Sequence, residues 1–321
     1  MTAEETAPVN SFRRILCPTD FGSCAQAALQ QALQLAEAYD AKVDLLHVAS
    51  VPEYFARDDR GALGNAGPEP LGAIACAECK KRLDALVMEL SPRDRERVTS
   101  HCRLGSPALA IVQHADEHAI DLIVLGASGK ARLANYLLGS VAGKTVRRAP
   151  CPVLCVPNDE VRSFQKIVVG TDFSACSMHA LRIASSIAAR SKARVIVAHV
   201  TPSSWSLPPG LSLGMGSEGT HWLELLQREA RERLDEFVDK ARVEGFRGDE
   251  TALLIGSPAQ SLLHYADEHA VDLMILGTHG RSSLARLMLG SVTETVVHNA
   301  RISVLTVRGP GEPSSESDGT T

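Results

Sequence analysis

Two glycine-and-serine patterns are the residues of this chain best placed to do chemistry. Gly126-Ala-Ser-Gly129, nine residues and then Gly139-Ser140-Val141 form the first. Gly277-Thr-His-Gly280, nine residues and then Gly290-Ser291-Val292 form the second. Glycine lets a backbone approach a bulky anion closely and adopts positive φ without penalty. A Gly-Ser pair that opens a helix turns unpaired amides and the positive end of the helix dipole toward the same space. Backbone amides with a serine hydroxyl beside them suit a polyphosphate. Asp20 and Asp172 each follow an apolar run, where a carboxylate across a crevice could accept from ribose hydroxyls. A single copy of the pattern also admits a plainer reading, as a strand end and a helix start. Its return with identical spacing, each time with a strand-ending Asp, favours a binding site.

The elements that must position these residues are themselves duplicated. Gly105-Ser-Pro-Ala through Gly129 returns as Gly256-Ser-Pro-Ala through Gly280, an offset of 151, and Thr19-Asp20-Phe21 and His47-Val48 return as Thr171-Asp172-Phe173 and His199-Val200, an offset of 152. A period of about 150 residues is a duplicated domain and not a solenoid repeat. Residues 1–11 are expected to be a flexible start, 12–157 and 164–308 the two domains, and 309–321 a disordered tail.

Within the first copy, apolar runs at 14–19, 43–48, 98–104, 120–125 and 153–156 read as strands. Helical patterns fall at 23–39, 73–90, 107–118 and 140–148. Ser106 before Pro107 reads as an N-cap followed by proline at the first helical position. The second copy repeats the order, with strands at 166–170, 194–200, 251–254, 271–276 and 302–307. Its helices are expected at 175–191, 220–244, 258–269 and 291–299. Continuous apolar strands alternating with helices predict an α/β fold, a parallel sheet covered on both faces in each copy. Ligands on such sheets bind at the carboxyl ends of strands, where the strand order reverses.

Composition narrows the function classes. A net charge of −5 argues against a general nucleic-acid binder, which needs a basic face. No apolar run approaches the ~20 residues of a membrane span. The acidic, polar start does not read as a signal peptide, so a cytoplasmic location is expected. Seven of the eight cysteines fall in the first half, unlike a disulfide framework shared by two copies, and they read as thiols in a reducing compartment.

Other patterns are weaker. Cys76-Ala-Glu-Cys79 has the spacing of half a zinc site or a redox motif, but Gln227 and Ala230 stand at the matching places of the second copy. His114 and His118 lie one helical turn apart. Tyr265 matches His114, so the two read as ordinary helix histidines. Gly214-Met-Gly216-Ser-Glu-Gly219 fits the dinucleotide pattern literally but follows a Pro-rich stretch and not a strand, so it reads as a mobile loop. Lys130 and Arg281, each next to the second motif glycine, are as readily solvated charges as phosphate contacts.

With Arg147-Arg-Ala-Pro-Cys-Pro-Val-Leu154 before the fifth strand, the duplicated glycine pattern and strand-ending Asp resemble the universal stress protein family, over about residues 12–157 and 164–308. The resemblance implies a five-stranded sheet of order 3-2-1-4-5 in each half. It also implies an ATP site in each, with Mg2+ accompanying the ATP. Gly126, Gly129, Gly139, Ser140 and Val141 match the phosphate-and-ribose motif, as do Gly277, Gly280, Gly290, Ser291 and Val292. Asp20 and Asp172 match an adenosine-contacting position, and Val48 and Val200 an adenine-pocket position. The implied function is that of an ATP-binding regulatory protein of the stress response. The alternatives are a slow ATPase or self-phosphorylating enzyme, or a nucleotide-free interaction module. Two like domains on one chain imply an intrachain pseudo-dimer, with homodimers of the whole chain as a further option. Arg301-Ile302-Ser303 departs from Pro150-Cys151-Pro152 of the first half, at the fifth strand through which relatives often pair.

Overall fold

A computed structural model describes residues 12–49, 68–127, 138–157, 161, 163–201, 216–248, 250–278 and 289–309. The expectations for residues 1–11, for the tail beyond 309, and for Gly129, Lys130, Gly280 and Arg281 fall outside the described residues. The chain divides into two compact units, one within residues 12–161 and the other within 162–313.

The first unit runs β1 (Arg14–Pro18), α1 (Ser23–Tyr39), β2 (Lys42–Ala49), α2 (Pro68–Glu89), α3 (Pro92–Arg95), β3 (Val98–Leu104), α4 (Pro107–Glu117), β4 (Leu122–Gly126), α5 (Ser140–Arg148) and β5 (Val153–Val156). The second runs β6 (Lys166–Gly170), α6 (Ala175–Ser191), β7 (Arg194–Thr201), α7 (Gly216–Val243), β8 (Glu250–Ile255), α8 (Pro258–Glu268), β9 (Leu273–Gly277), α9 (Ser291–Asn299) and β10 (Ser303–Val307). The strand order is β3-β2-β1-β4-β5 in the first unit and β8-β7-β6-β9-β10 in the second. The pairs within each unit are parallel.

Strands covered on both faces must be apolar at successive positions. Ile15, Leu16 and Cys17 of β1 and Ile167, Val168 and Val169 of β6 are accordingly fully buried. Helix α1 presents Ala25, Ala28, Ala32 and Ala36 to the sheet, small side chains that let helix and strands approach closely. Burial pushes the Cys17 and Cys155 thiols up to about 12, so both remain neutral and pack as small apolar groups.

At the amino end of β1, the Asp121 carboxylate accepts from the Arg13 and Arg14 backbone N–H groups at 2.9–3.1 Å. Asp272 does the same for Gln165 and Lys166 at 2.9 Å. These repeated aspartates tie the start of the first strand to the start of the fourth. They sit at the opposite end of the sheet from Asp20 and Asp172.

Several boundaries differ from the sequence expectation. Helix α2 begins at Pro68, five residues early, because proline is tolerated in a first helical turn and does not break it there. Helix α3 was not expected; Ser91 caps it, its Oγ accepting from the Asp94 N–H at 3.2 Å. Helix α7 begins at Gly216, so Gly216 to Gly219 are helical and not part of a loop. Ser106 occupies the N-cap position of α4 with Pro107 in the first turn, yet its side chain makes no capping hydrogen bond.

Candidate functional site

Strand β1 lies between β2 and β4, and the chain leaves it toward β2 on one side while β4 arrives on the other. This reversal parts the connecting segments at the carboxyl ends of the strands and opens a crevice there. In the first unit the crevice is a cavity of about 330 Å3 whose lining includes Asp20, Val48, Gly126, Gly139, Ser140 and Val141. In the second it is a cavity of about 260 Å3 whose lining includes Asp172, Val200, Gly277, Gly290, Ser291 and Val292. Every site residue expected from the sequence that lies among the described residues is therefore brought to one crevice in its own unit.

The loop after β1 is held by its own side chains. The Thr19 hydroxyl accepts from the Phe21 N–H at 3.0 Å, and Asp20 Oδ1 accepts from the Gly22 N–H at 2.8 Å. In the second unit Thr171 accepts from Phe173 at 2.9 Å and Asp172 from Ser174 at 3.1 Å. These turns orient each carboxylate at the cavity wall. Phe21 and Phe173 take φ of 63° and 66°, a region costly for bulky residues. Such strain persists only where its surroundings impose it, and it clusters at functional sites.

The histidines at the end of the second strand complete the frame. His47 Nδ1 lies 2.6 Å from the Thr19 carbonyl oxygen and His199 Nδ1 lies 2.7 Å from that of Thr171. A carbonyl only accepts, so each Nδ1 carries the proton. Each ring packs on the neighbouring phenylalanine, with centroids 4.6 Å apart for Phe21–His47 and 4.3 Å for Phe173–His199. Sequence reasoning noted both histidines as repeats but not as lining residues. Also missed were Pro107 and Ile111, with Pro258 and Leu262 opposite numbers, which form an apolar wall.

At the helix end of the crevice, Gly139 N–H donates to Ala127 O at 2.6 Å and Gly290 N–H to Thr278 O at 2.7 Å. These bonds close the segment between strand and helix. Gly139 and Gly290 are the N-cap residues of α5 and α9, and neither helix has a side-chain cap bond. The first intrahelical bonds run from Gly143 to Gly139 and from Glu294 to Gly290. The amides of residues 140–142 and 291–293 thus have no acceptor within their helices, which is the arrangement that attracts anions.

The reason for the glycines differs from the sequence expectation. Gly139 and Gly290 have φ of −61° and −59°, so neither needs the left-handed region. At Gly126, a Cβ would lie 2.9 Å from the backbone carbonyl carbon of Cys24. At Gly277 it would lie 2.8 Å from Cys176 Sγ. These two glycines are imposed by the close approach of α1 and α6 to the fourth strand.

The sequence profile of the universal stress protein family matches residues 11–157 and again 163–308. The chain belongs to the universal stress protein family. Universal stress protein Rv2005c of Mycobacterium tuberculosis is 31% identical over 235 residues, covering 70% of this chain and 73% of that protein. Universal stress protein MJ0531 of Methanocaldococcus jannaschii is 35% identical over 149 residues, 46% of this chain and 84% of its own length. In fold, the crystal structure of a universal stress protein from Archaeoglobus fulgidus covers 92% of this chain and 98% of its own, with a TM-score of 0.63 at 17% identity. Among the described residues, no helix is long and apolar enough to cross a membrane.

Proposed function

We infer that each unit binds an adenine nucleotide, ATP with its Mg2+ counter-ion, and that binding serves regulation in the stress response. The observation that carries this reading is the construction of one crevice twice from the same parts. Each combines an apolar wall, a carboxylate fixed by an Asx turn and unpaired helix amides, within volumes near the lower end of the about 300–1,000 Å3 range of ligand clefts. The apolar wall with Val48 or Val200 suits the base. Asp20 or Asp172 suits the ribose hydroxyls. The segment from Gly126 or Gly277 to the following helix suits the phosphates, with Gly129 and Gly280 assigned to that segment by the motif.

We prefer a regulatory role to hydrolysis because each ionisable group in the described lining has a structural part. His47 and His199 donate Nδ1–H to a carbonyl, and Asp20 and Asp172 accept a turn amide. All four hold the loop after the first strand; neither contact removes the basicity of the second imidazole nitrogen or carboxylate oxygen, so an assay of phosphate release separates regulation from a slow ATPase. Mass spectrometry of small molecules released from the purified protein tests the reading, with ATP or ADP expected. At 100 times its dissociation constant, ATP should stabilise a binding unit by about 2.7 kcal/mol. No rise in melting temperature with millimolar ATP and Mg2+ would overturn it.

A further inference from the structure

Asp44 interrupts an otherwise apolar, buried stretch of β2, Val43-Asp44-Leu45-Leu46, and its side chain is 3% exposed. His114 of α4 places Nε2 3.0 Å from Asp44 Oδ2, and His101 of β3 places Nε2 3.5 Å from the same oxygen. One donor atom from each of the three lies within 4.8 Å of the other two. Zinc–nitrogen and zinc–oxygen bonds of about 2.0–2.2 Å put neighbouring tetrahedral ligands about 3.3 Å apart, so each imidazole already stands near coordination spacing from the carboxylate.

The hydrogen bonding around them is incomplete. Nε2 of His101 and Nδ1 of His114 are buried without a hydrogen-bond partner. A polar cluster left half satisfied in a low-dielectric interior is costly. Arg14 donates to both Asp44 oxygens, Nε to Oδ1 at 3.2 Å and Nη2 to Oδ2 at 2.9 Å, which fixes the carboxylate but leaves His101 unsatisfied. His101, His114 and His118 stand in the wall of a cavity of about 460 Å3 over the edge strand. His118 stacks on His114 at 4.0 Å and its Nδ1 lies 3.1 Å from the His114 carbonyl oxygen, so the helical pair noticed in the sequence stacks and does not chelate.

The fold does not require the cluster. The repeat aligns Asp44, His101 and His114 with Ile196, Ala252 and Tyr265 in the second unit. That unit builds the same strand order without them. Apolar replacement of buried ionic groups is commonly neutral or stabilising, so the cluster calls for another explanation than folding.

We propose that Asp44, His101 and His114 form a site for a divalent transition metal of the zinc class, present in the first unit alone and separate from the nucleotide crevice. Two imidazoles and a carboxylate suit such borderline cations. The thiols of Cys76 and Cys102 are not ligands. Both line the same cavity as His101, but their sulfurs lie outside the three-donor cluster. The Arg14 guanidinium repels a cation bound beside it, which places the affinity below that of a closed four-ligand site.

The test uses the full chain, stripped with a chelator, desalted and titrated with Zn2+ by calorimetry, with Co2+ absorption as a second readout of the ligand set. One ion per chain is expected. His101→Ala and His114→Tyr install the second unit's own residues, which this fold accommodates, and each should remove the site with circular dichroism unchanged. Cys76→Ser and Cys102→Ser should retain it. Should one histidine variant misfold, the other still decides. Failure of the wild type to bind, retention of binding by a folded histidine variant, or loss of binding in the cysteine variants would each overturn the proposal.

Discussion

The Nδ1–H of His47 donates to the carbonyl oxygen of Thr19 across 2.6 Å, joining the carboxyl end of β2 to that of β1 immediately beside Asp20. The second unit repeats the contact between His199 and Thr171 at 2.7 Å. A partly buried bond of this kind contributes about 0.5–1.5 kcal/mol and fixes where the Asp20 loop stands. Replacing His47 or His199 with Ala should lower the melting temperature modestly. It should also weaken adenosine and ATP to similar extents in the altered unit, because the loop it anchors carries the carboxylate and not the phosphate contacts. Calorimetry with both ligands checks this. A loss confined to ATP would contradict the placement of Asp20 at the ribose.

Gly126 and Gly277 are expected to answer differently to alanine. At Gly126 the added Cβ meets backbone of Cys24 at 2.9 Å, whereas at Gly277 it meets first the Cys176 Sγ at 2.8 Å. Overpacking of this type costs about 1–3 kcal/mol. Adding Cys176→Ala to Gly277→Ala should recover most of the loss in a urea unfolding midpoint. For Gly126→Ala no side-chain change at Cys24 should rescue, since the obstacle is main chain.

The two repeated aspartate pairs separate stability from binding. Asp121→Ala leaves the Arg13 and Arg14 amides without their acceptor and should cost about 1–3 kcal/mol with ligand affinity unchanged in the folded protein. Asp20→Ala should weaken nucleosides as much as triphosphates and cost less stability. Denaturant midpoints and affinities on both variants check the contrast, and equal behaviour would contradict it.

The repeat made the crevice legible before any coordinates. Thr19-Asp20-Phe21 and the glycine patterns recur at matching spacing, and the strands that carry them announce themselves as continuous apolar runs. The repeat could not separate Asp121 from Asp20, because both recur; only the end of the sheet at which each stands tells clamp from lining. Nor could it show why Gly126 is glycine, since the constraint comes from Cys24 on a distant helix. The Asp44 cluster draws one residue from each of three elements and has no spacing to detect. Its one local signal was a carboxylate inside a buried strand. In the sequence His114 pairs by spacing with His118 on its own helix, whereas its partners lie on β2 and β3.

Gly139→Val and Gly290→Val isolate the phosphate end. With φ near −60° at both positions, valine meets no left-handed backbone; at Gly290 its Cβ lies 3.1 Å from the Thr278 carbonyl oxygen, so the loop there should yield by a few tenths of an ångström while the unit keeps its fold. Its branched Cβ then occupies the space next to the helix amides. The direct measurement is calorimetric titration of the full chain with ATP and Mg2+, in the wild type, each single variant and the double variant. The account predicts two sites in the wild type, one in each single variant and none in a folded double variant. A folded double variant that binds ATP as the wild type does would contradict it.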